Sequence, residues 1–174
     1  MSQNDNDMGF NIGDAVVYPS HGVGTITSEE VEVIAGIEMK LYVIKFSEDK
    51  MLLRVPKSRA LKAGLRHLSS KELFGEVIST LKSRAQTARG MWSKRAQEYE
   101  TKINSGDPLM IAEVLRDLYR NADDPERSYS ERTIYEMALE RLTHEYAAAH
   151  SCSNQEAEST ILQILDDAKF EMAG

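Results

Sequence analysis

The hydrophobic pattern of this chain changes period once, and that change constrains its fold more than any other feature. Up to about Pro56, apolar and β-branched residues alternate with polar ones, the two-residue period of half-buried strands. From Ser69 onward they recur every three or four residues, the period of helices that bury one face. A chain written this way segregates its strands and helices, so the fold class is α+β.

In the first part, "DAVVYP", "GVGTITSEEVEVIAG", "IEMKLYVIKFS" and "MLLRVP" each read as a strand. Turn signals separate them at Pro19-Ser20-His21-Gly22, Ala35-Gly36 and Ser47-Glu48-Asp49-Lys50. Four or five short antiparallel strands in so few residues imply a small, strongly bent sheet or partial barrel. Ala35-Gly36 joins the two long strands as a hairpin, whose outward Glu29, Glu30 and Glu32 guard against edge pairing.

In the second part, Ser69 and Glu72 have capping-box spacing and predict a helix over about 71–87. Arg89-Gly90 interrupts, and a second helix is expected over 91–104. Asp107-Pro108 places an N-cap before a proline whose missing N–H is harmless, so "LMIAEVLRDLYRNA" forms the third. Ser128 with Glu131, and Ser153 with Glu156, start a helix to about Ala149 and a last one over 154–172. Five helices with short connections make a compact bundle. The expected organisation is a disordered tail over 1–9, a β domain over 10–60, a linker over 61–70 and a helical domain over 71–172. The pattern contains no internal repeat or coiled-coil heptad run.

Composition bounds the function. No apolar run approaches the roughly 20 residues that span a bilayer, so no membrane role is expected. Cys152 is the single cysteine, which precludes an internal disulfide and suits a reducing, cytoplasmic setting. The net charge of −7 disfavours nucleic acid at first sight, because phosphates attract basic partners. The charge is segregated, however. Residues 1–56 carry 4 basic and 9 acidic side chains, residues 57–102 carry 11 and 4, and residues 103–174 carry 6 and 15. The basic block, with Lys82, Arg84, Arg89, Lys94, Arg95 and Lys102, surrounds the single tryptophan in "ARGMWSKR".

Catalytic signals are weak. His144 and His150 are six apart, which turns the second about 240° from the first on a helix, whereas paired zinc ligands need one turn. Gly22 and Gly24 lack the lysine and following helix of a phosphate loop. Cys152 near His150 has no readable third partner. Neither an enzyme activity nor a cofactor is expected.

On a helix over 91–104, Trp92, Arg95, Tyr99 and Lys102 lie within about 80° of one another. Two aromatics and two cations on one face suit DNA, since the cations neutralise phosphate while a ring wedges at an unstacked base step. The competing reading is that Trp92 anchors its helix in the core, as large aromatics usually do. Residue chemistry alone puts the core anchor ahead of the DNA wedge.

Three stretches, "FNIGDAVVYPSHGVGTI", "LLRVP" and "WSKRAQEYETKINSGDPLMIAEVLRDLYRN", stand in the order and spacing of a known family. From Phe10 to about Ile164 the chain resembles the CarD-like (CarD/CdnL) bacterial transcription regulators. The resemblance implies a Tudor-like N-terminal domain that binds the RNA polymerase β subunit and a helical domain that contacts promoter DNA. It implies that Trp92 wedges into the minor groove at the upstream fork of the −10 region, with Lys94, Arg95, Arg89 and Lys102 near the backbone. It also implies that Arg54 of "RVP" holds polymerase, and that the protein is a non-catalytic monomer that stabilises open promoter complexes. Some relatives carry a basic residue before the hairpin glycine; here that stretch is Glu32-Val33-Ile34-Ala35-Gly36, and the contact is not carried over. The alternative is an interaction module whose β domain binds a protein while the helices are purely structural.

Overall fold

The computed structural model describes residues 9–46, 50–86 and 90–173. Residues 1–8 of the tail expected over 1–9, the turn residues 47–49 and Arg89 lie outside the described residues. The chain divides into two compact units, residues 1–68 and 69–174.

The first unit is a five-stranded antiparallel sheet built from β1 (Ala15–Tyr18), β2 (Gly22–Ile34), β3 (Ile37–Phe46), β4 (Leu52–Pro56) and β5 (Arg66–His67). The strand order is β4-β3-β2-β1-β5. Phe10, Val16, Ile26, Tyr42, Ile44, Phe46, Val55 and Leu65 form its core. Ala35 and Gly36 both take positive φ, 53° and 79°, the two-residue turn whose twist matches the strands it joins. Gly24 lies in β2, where a Cβ would sit 2.7 Å from Ile44 and 2.9 Å from Phe46, so close packing explains the glycine.

Two features of this unit differ from the sequence expectation. The register of β2 against β3 shifts between Ile26 and Ser28, a bulge at Thr27 that regular alternation does not reveal. The stretch expected as a linker over 61–70 contains β5, whose Arg66 and His67 pair with Val17 and Val16. Two residues are too short a run to carry a period, and the pairing arises from tertiary contact.

The second unit holds five helices: α1 (Lys71–Lys82), α2 (Trp92–Asn104), α3 (Pro108–Tyr119), α4 (Tyr129–His150) and α5 (Asn154–Ala173). α3 supplies Ile111, Ala112, Val114, Leu115 and Leu118 to the core, where they meet Phe74, Val77 and Leu81 of α1 and Ile134, Ala138 and Leu142 of α4. Asp107 caps α3 through Leu109 N–H, and Ser128 caps α4 through Glu131 N–H, as the sequence predicts. The cap of α1 is Ser70, which accepts from Leu73 N–H, one residue beyond the predicted Ser69. The backbone N–H of Ser69 instead donates to buried Glu145 at 2.8 Å. α1 also ends at Lys82, short of the predicted 87. Ser83 turns to an extended conformation, and Arg116 donates to its hydroxyl at 2.8 Å, anchoring the chain outside the helix.

Candidate functional site

α2 begins abruptly. Its N-cap is Met91, which offers no side-chain acceptor, and Trp92 is its first residue. The start is therefore positive in character, with early N–H groups lacking a side-chain cap. Trp92 packs partly buried against the helical core. Its indole Nε1–H donates to the Ser130 hydroxyl at 3.3 Å, and Ser130 lies in the first turn of α4. Two helix starts thus meet at one indole; the uncapped α2 start favours an anion, whereas α4 is capped by Ser128 and carries Glu131 in its first turn.

Arg95 lies one turn along α2, its guanidinium 5.4 Å from the Trp92 ring and 6.0 Å from the Tyr99 ring. The Trp92 and Tyr99 rings are 6.2 Å apart. Tyr99 is buried and roots this stack in the core. Arg95 Nε is buried without a hydrogen-bond partner, and the guanidinium is held by the two ring faces and by Nη2 donating to the Tyr99 hydroxyl at 3.5 Å.

The cations named from the sequence occupy different situations. Lys94 is exposed in the first turn of α2, about 200° around the helix from Trp92. Lys102 lies in the last turn of the same helix and pairs with Glu113 of α3 at 3.2 Å. Trp92 and Arg95 therefore come together, Lys94 projects from another side of the same turn, and Lys102 stands about 15 Å along the helix axis from Trp92. At the starts of α2 and α4 lie residues the sequence pattern did not single out. Met91 and Tyr129 are exposed, at 77% and 76%, and Arg132 lies 5.7 Å from the Tyr129 ring. The Ser128–Glu131 box located the start of α4; only the packing of α4 on α2 brings it to Trp92.

In the sheet unit, Arg54 of β4 donates from Nε to Glu30 of β2 at 2.8 Å. The hydrogen bond and charge of Glu30 raise the Arg54 guanidinium above its already high ordinary pKa. Registered pairs share a face, which places Arg54 with Val43, Pro56 with Leu41, Glu30 with Leu41 and Glu32 with Met39 on one side. That side runs toward the hairpin turn, where Ile34 and Ile37 are paired and exposed. Glu29 faces the other way and pairs with Lys57, which also lies over the Tyr42 ring. Only four residues of β2 pair with β1, so beyond Thr25 its far edge has no partner strand among the described residues. The result is an apolar, acid-edged strip with Arg54 at its margin.

Elsewhere, α4 continues without a break to His150, so His144 and His150 point to different sides. His150 stacks on Tyr146 at 3.9 Å and meets Phe74 edge-on at 5.3 Å. Among the described residues no cluster of His, Cys, Asp or Glu is arranged to hold a metal, and no helix is long and apolar enough to cross a membrane.

Fold and site define a class of two-module α+β chain, in which a bent sheet presents an apolar edge and a helical unit presents an aromatic ring at joined helix N-termini. Both modules match family descriptions. Residues 10–69 match the CarD-like/TRCF RID domain, and residues 76–162 match the CarD C-terminal domain. A protein of Bacillus subtilis (strain 168) named "Putative transcription factor YdeB" is 27% identical over 150 residues, covering 86% of this chain and 98% of that protein. The chain belongs to the CarD-like family. That membership and the relative's name support a transcription-related role.

Proposed function

We propose that this protein is a non-catalytic transcription regulator that docks on the RNA polymerase β subunit through its sheet unit and stabilises the open promoter complex through its helical unit. The observation that carries the reading is Trp92, held at the start of α2 against Ser130 of α4 with Arg95 over its ring and Lys94 exposed in the same turn. Uncapped N–H groups and Lys94 suit backbone phosphates, and the indole suits an unstacked base step at the upstream edge of the −10 region. Docking at Arg54 and the apolar hairpin strip raises the local concentration of the helical unit, so modest DNA affinity suffices. This reconciles a DNA role with an acidic chain, and the proposed setting is the cytoplasm, with polymerase.

Such a factor acts by binding the open complex better than the closed one. A coupling of about 1–3 kcal/mol changes the open population roughly 5- to 150-fold. Recognition through a wedge and phosphates reads shape more than base edges, so sequence preference is weak. The second reading, an interaction module with a structural bundle, draws on the packing of the indole against the core.

Two measurements test the proposal. The lifetime of purified polymerase–promoter complexes is expected to lengthen with the protein and to return to baseline with Trp92→Ala, provided the variant is folded. A full effect from folded Trp92→Ala leaves the structural-bundle reading. Arg54→Glu is expected to weaken capture of the β subunit strongly while lowering the thermal unfolding midpoint only slightly, through loss of the exposed Glu30 pair, with Arg54→Gln as the milder control; undiminished capture by both moves the docking surface elsewhere.

A further inference from the structure

Residues 103–174 hold 6 basic side chains against 15 acidic ones. Three of those six, Arg116, Arg120 and Lys169, line a single cleft together with Arg84. The cleft lies between the end of α1, the last turn of α3 and the C-terminal part of α5, with a volume of about 170 Å³. Leu81 and Leu165 are among its apolar walls, and its described lining contains no carboxylate. In so acidic a stretch, this concentration of cations around an apolar hollow is the opposite of a solvated helix face.

The walls are also fixed in place. Arg116 is nearly buried, donating from Nε to Asp117 and from Nη1 to Ser83, each at 2.8 Å, which sets the plane of its guanidinium. Asp117 also accepts from the backbone N–H of Gln86 at 2.9 Å, tying the segment after α1 to α3. The Tyr119 hydroxyl donates to Asp166, and Lys169 lies 5.5 Å from the Tyr119 ring. The aromatic wall and the guanidinium are therefore set before any ligand arrives, which lowers the ordering cost of binding.

We propose that this cleft binds a small phosphorylated molecule with a flat apolar body, of the nucleoside diphosphate class. The hollow is smaller than the roughly 300–1,000 Å³ of pockets that enclose whole ligands, so it takes the ring while phosphates meet the cationic rim. Planar guanidinium groups match phosphate oxygens, and a lysine adds a point charge. The site is distinct from the Trp92 cluster in every residue, so it adds a regulatory input to the proposed role.

The test titrates the full-length, isotope-labelled protein with ADP, adenosine and pyrophosphate at constant ionic strength, reading amide shifts and calorimetric affinity. One ADP is expected per chain, with shifts at 81–86, 116–120 and 165–169 and adenosine at least about tenfold weaker. The exposed pair Arg84→Glu with Lys169→Glu is expected to weaken ADP at least about tenfold, whereas exposed Lys71→Glu at the far end of α1 does not. Thermal scans establish that both variants are folded. The proposal is overturned if ADP gives no saturable shifts, if the shifts lie elsewhere, or if both variants bind alike. It is equally overturned if a short DNA duplex displaces ADP and shifts the same amides, for the cleft is then part of a backbone-binding face.

Discussion

The Ser130 hydroxyl is the only hydrogen-bond acceptor that the indole of Trp92 has among the described residues, and Ser130→Ala removes it while leaving the ring in place. The bond is 3.3 Å long and near the surface, so its net worth lies at the lower end of the usual 0.5–1.5 kcal/mol. Alanine is the better helix former by about 0.5 kcal/mol, which offsets much of that loss in the first turn of α4. Global stability should therefore change by less than about 0.5 kcal/mol. Local orientation should change more, because Arg95 and Tyr99 hold one side of the ring and Ser130 alone holds the nitrogen. Trp92 is the single tryptophan, so its fluorescence reports this directly. Acrylamide quenching is expected to rise, and the lifetime of the promoter complex to fall about two- to fivefold, equivalent to about 0.5–1 kcal/mol of lost positioning. Increased quenching with an unchanged lifetime would refute the claim that Ser130 positions a working ring. Unchanged quenching would refute the positioning itself.

Other consequences concern the fold. Gly24→Ala forces a methyl against Ile44 and Phe46 and should cost about 1–3 kcal/mol in denaturant unfolding; a near-neutral result means β2 and β3 can spread. Glu145→Ala leaves the Ser69 N–H without its acceptor and should cost about 1–3 kcal/mol, with no response to added zinc. Burial pushes the Tyr135 hydroxyl up to about 12 and raises that of Tyr119 as well, with Asp166 adding to the latter. Their neutral forms are favoured in the folded state, so stability is fully present below about pH 10 and declines as pH rises toward 12. Phenolate absorbance that appears in full near pH 10 without unfolding would contradict that burial.

Much of the architecture follows from local pattern. The change of hydrophobic period separates sheet from helices, and polar side chains with a free oxygen mark the starts of α3 and α4, because capping is decided within four residues of chain. The same reasoning misplaces the cap of α1 by one residue, since Ser69 and Ser70 offer identical chemistry and Glu145, distant in sequence, selects between them. The end of α1 is likewise decided from α3, by Arg116 and Asp117. The bulge at Thr27 and the two-residue β5 arise from strand pairing and leave no periodic trace.

The candidate site divides along the same line. The sequence by itself determined that Trp92, Arg95 and Tyr99 share a face, because helical geometry fixes the angle between residues three and seven apart. Only the tertiary structure decided that Lys102 is committed to Glu113, that Ser130 joins Trp92 from another helix, and that Arg84, Arg116, Arg120 and Lys169 meet around one cleft. Those contacts join side chains many residues apart, and such proximity exists only once the helices have packed.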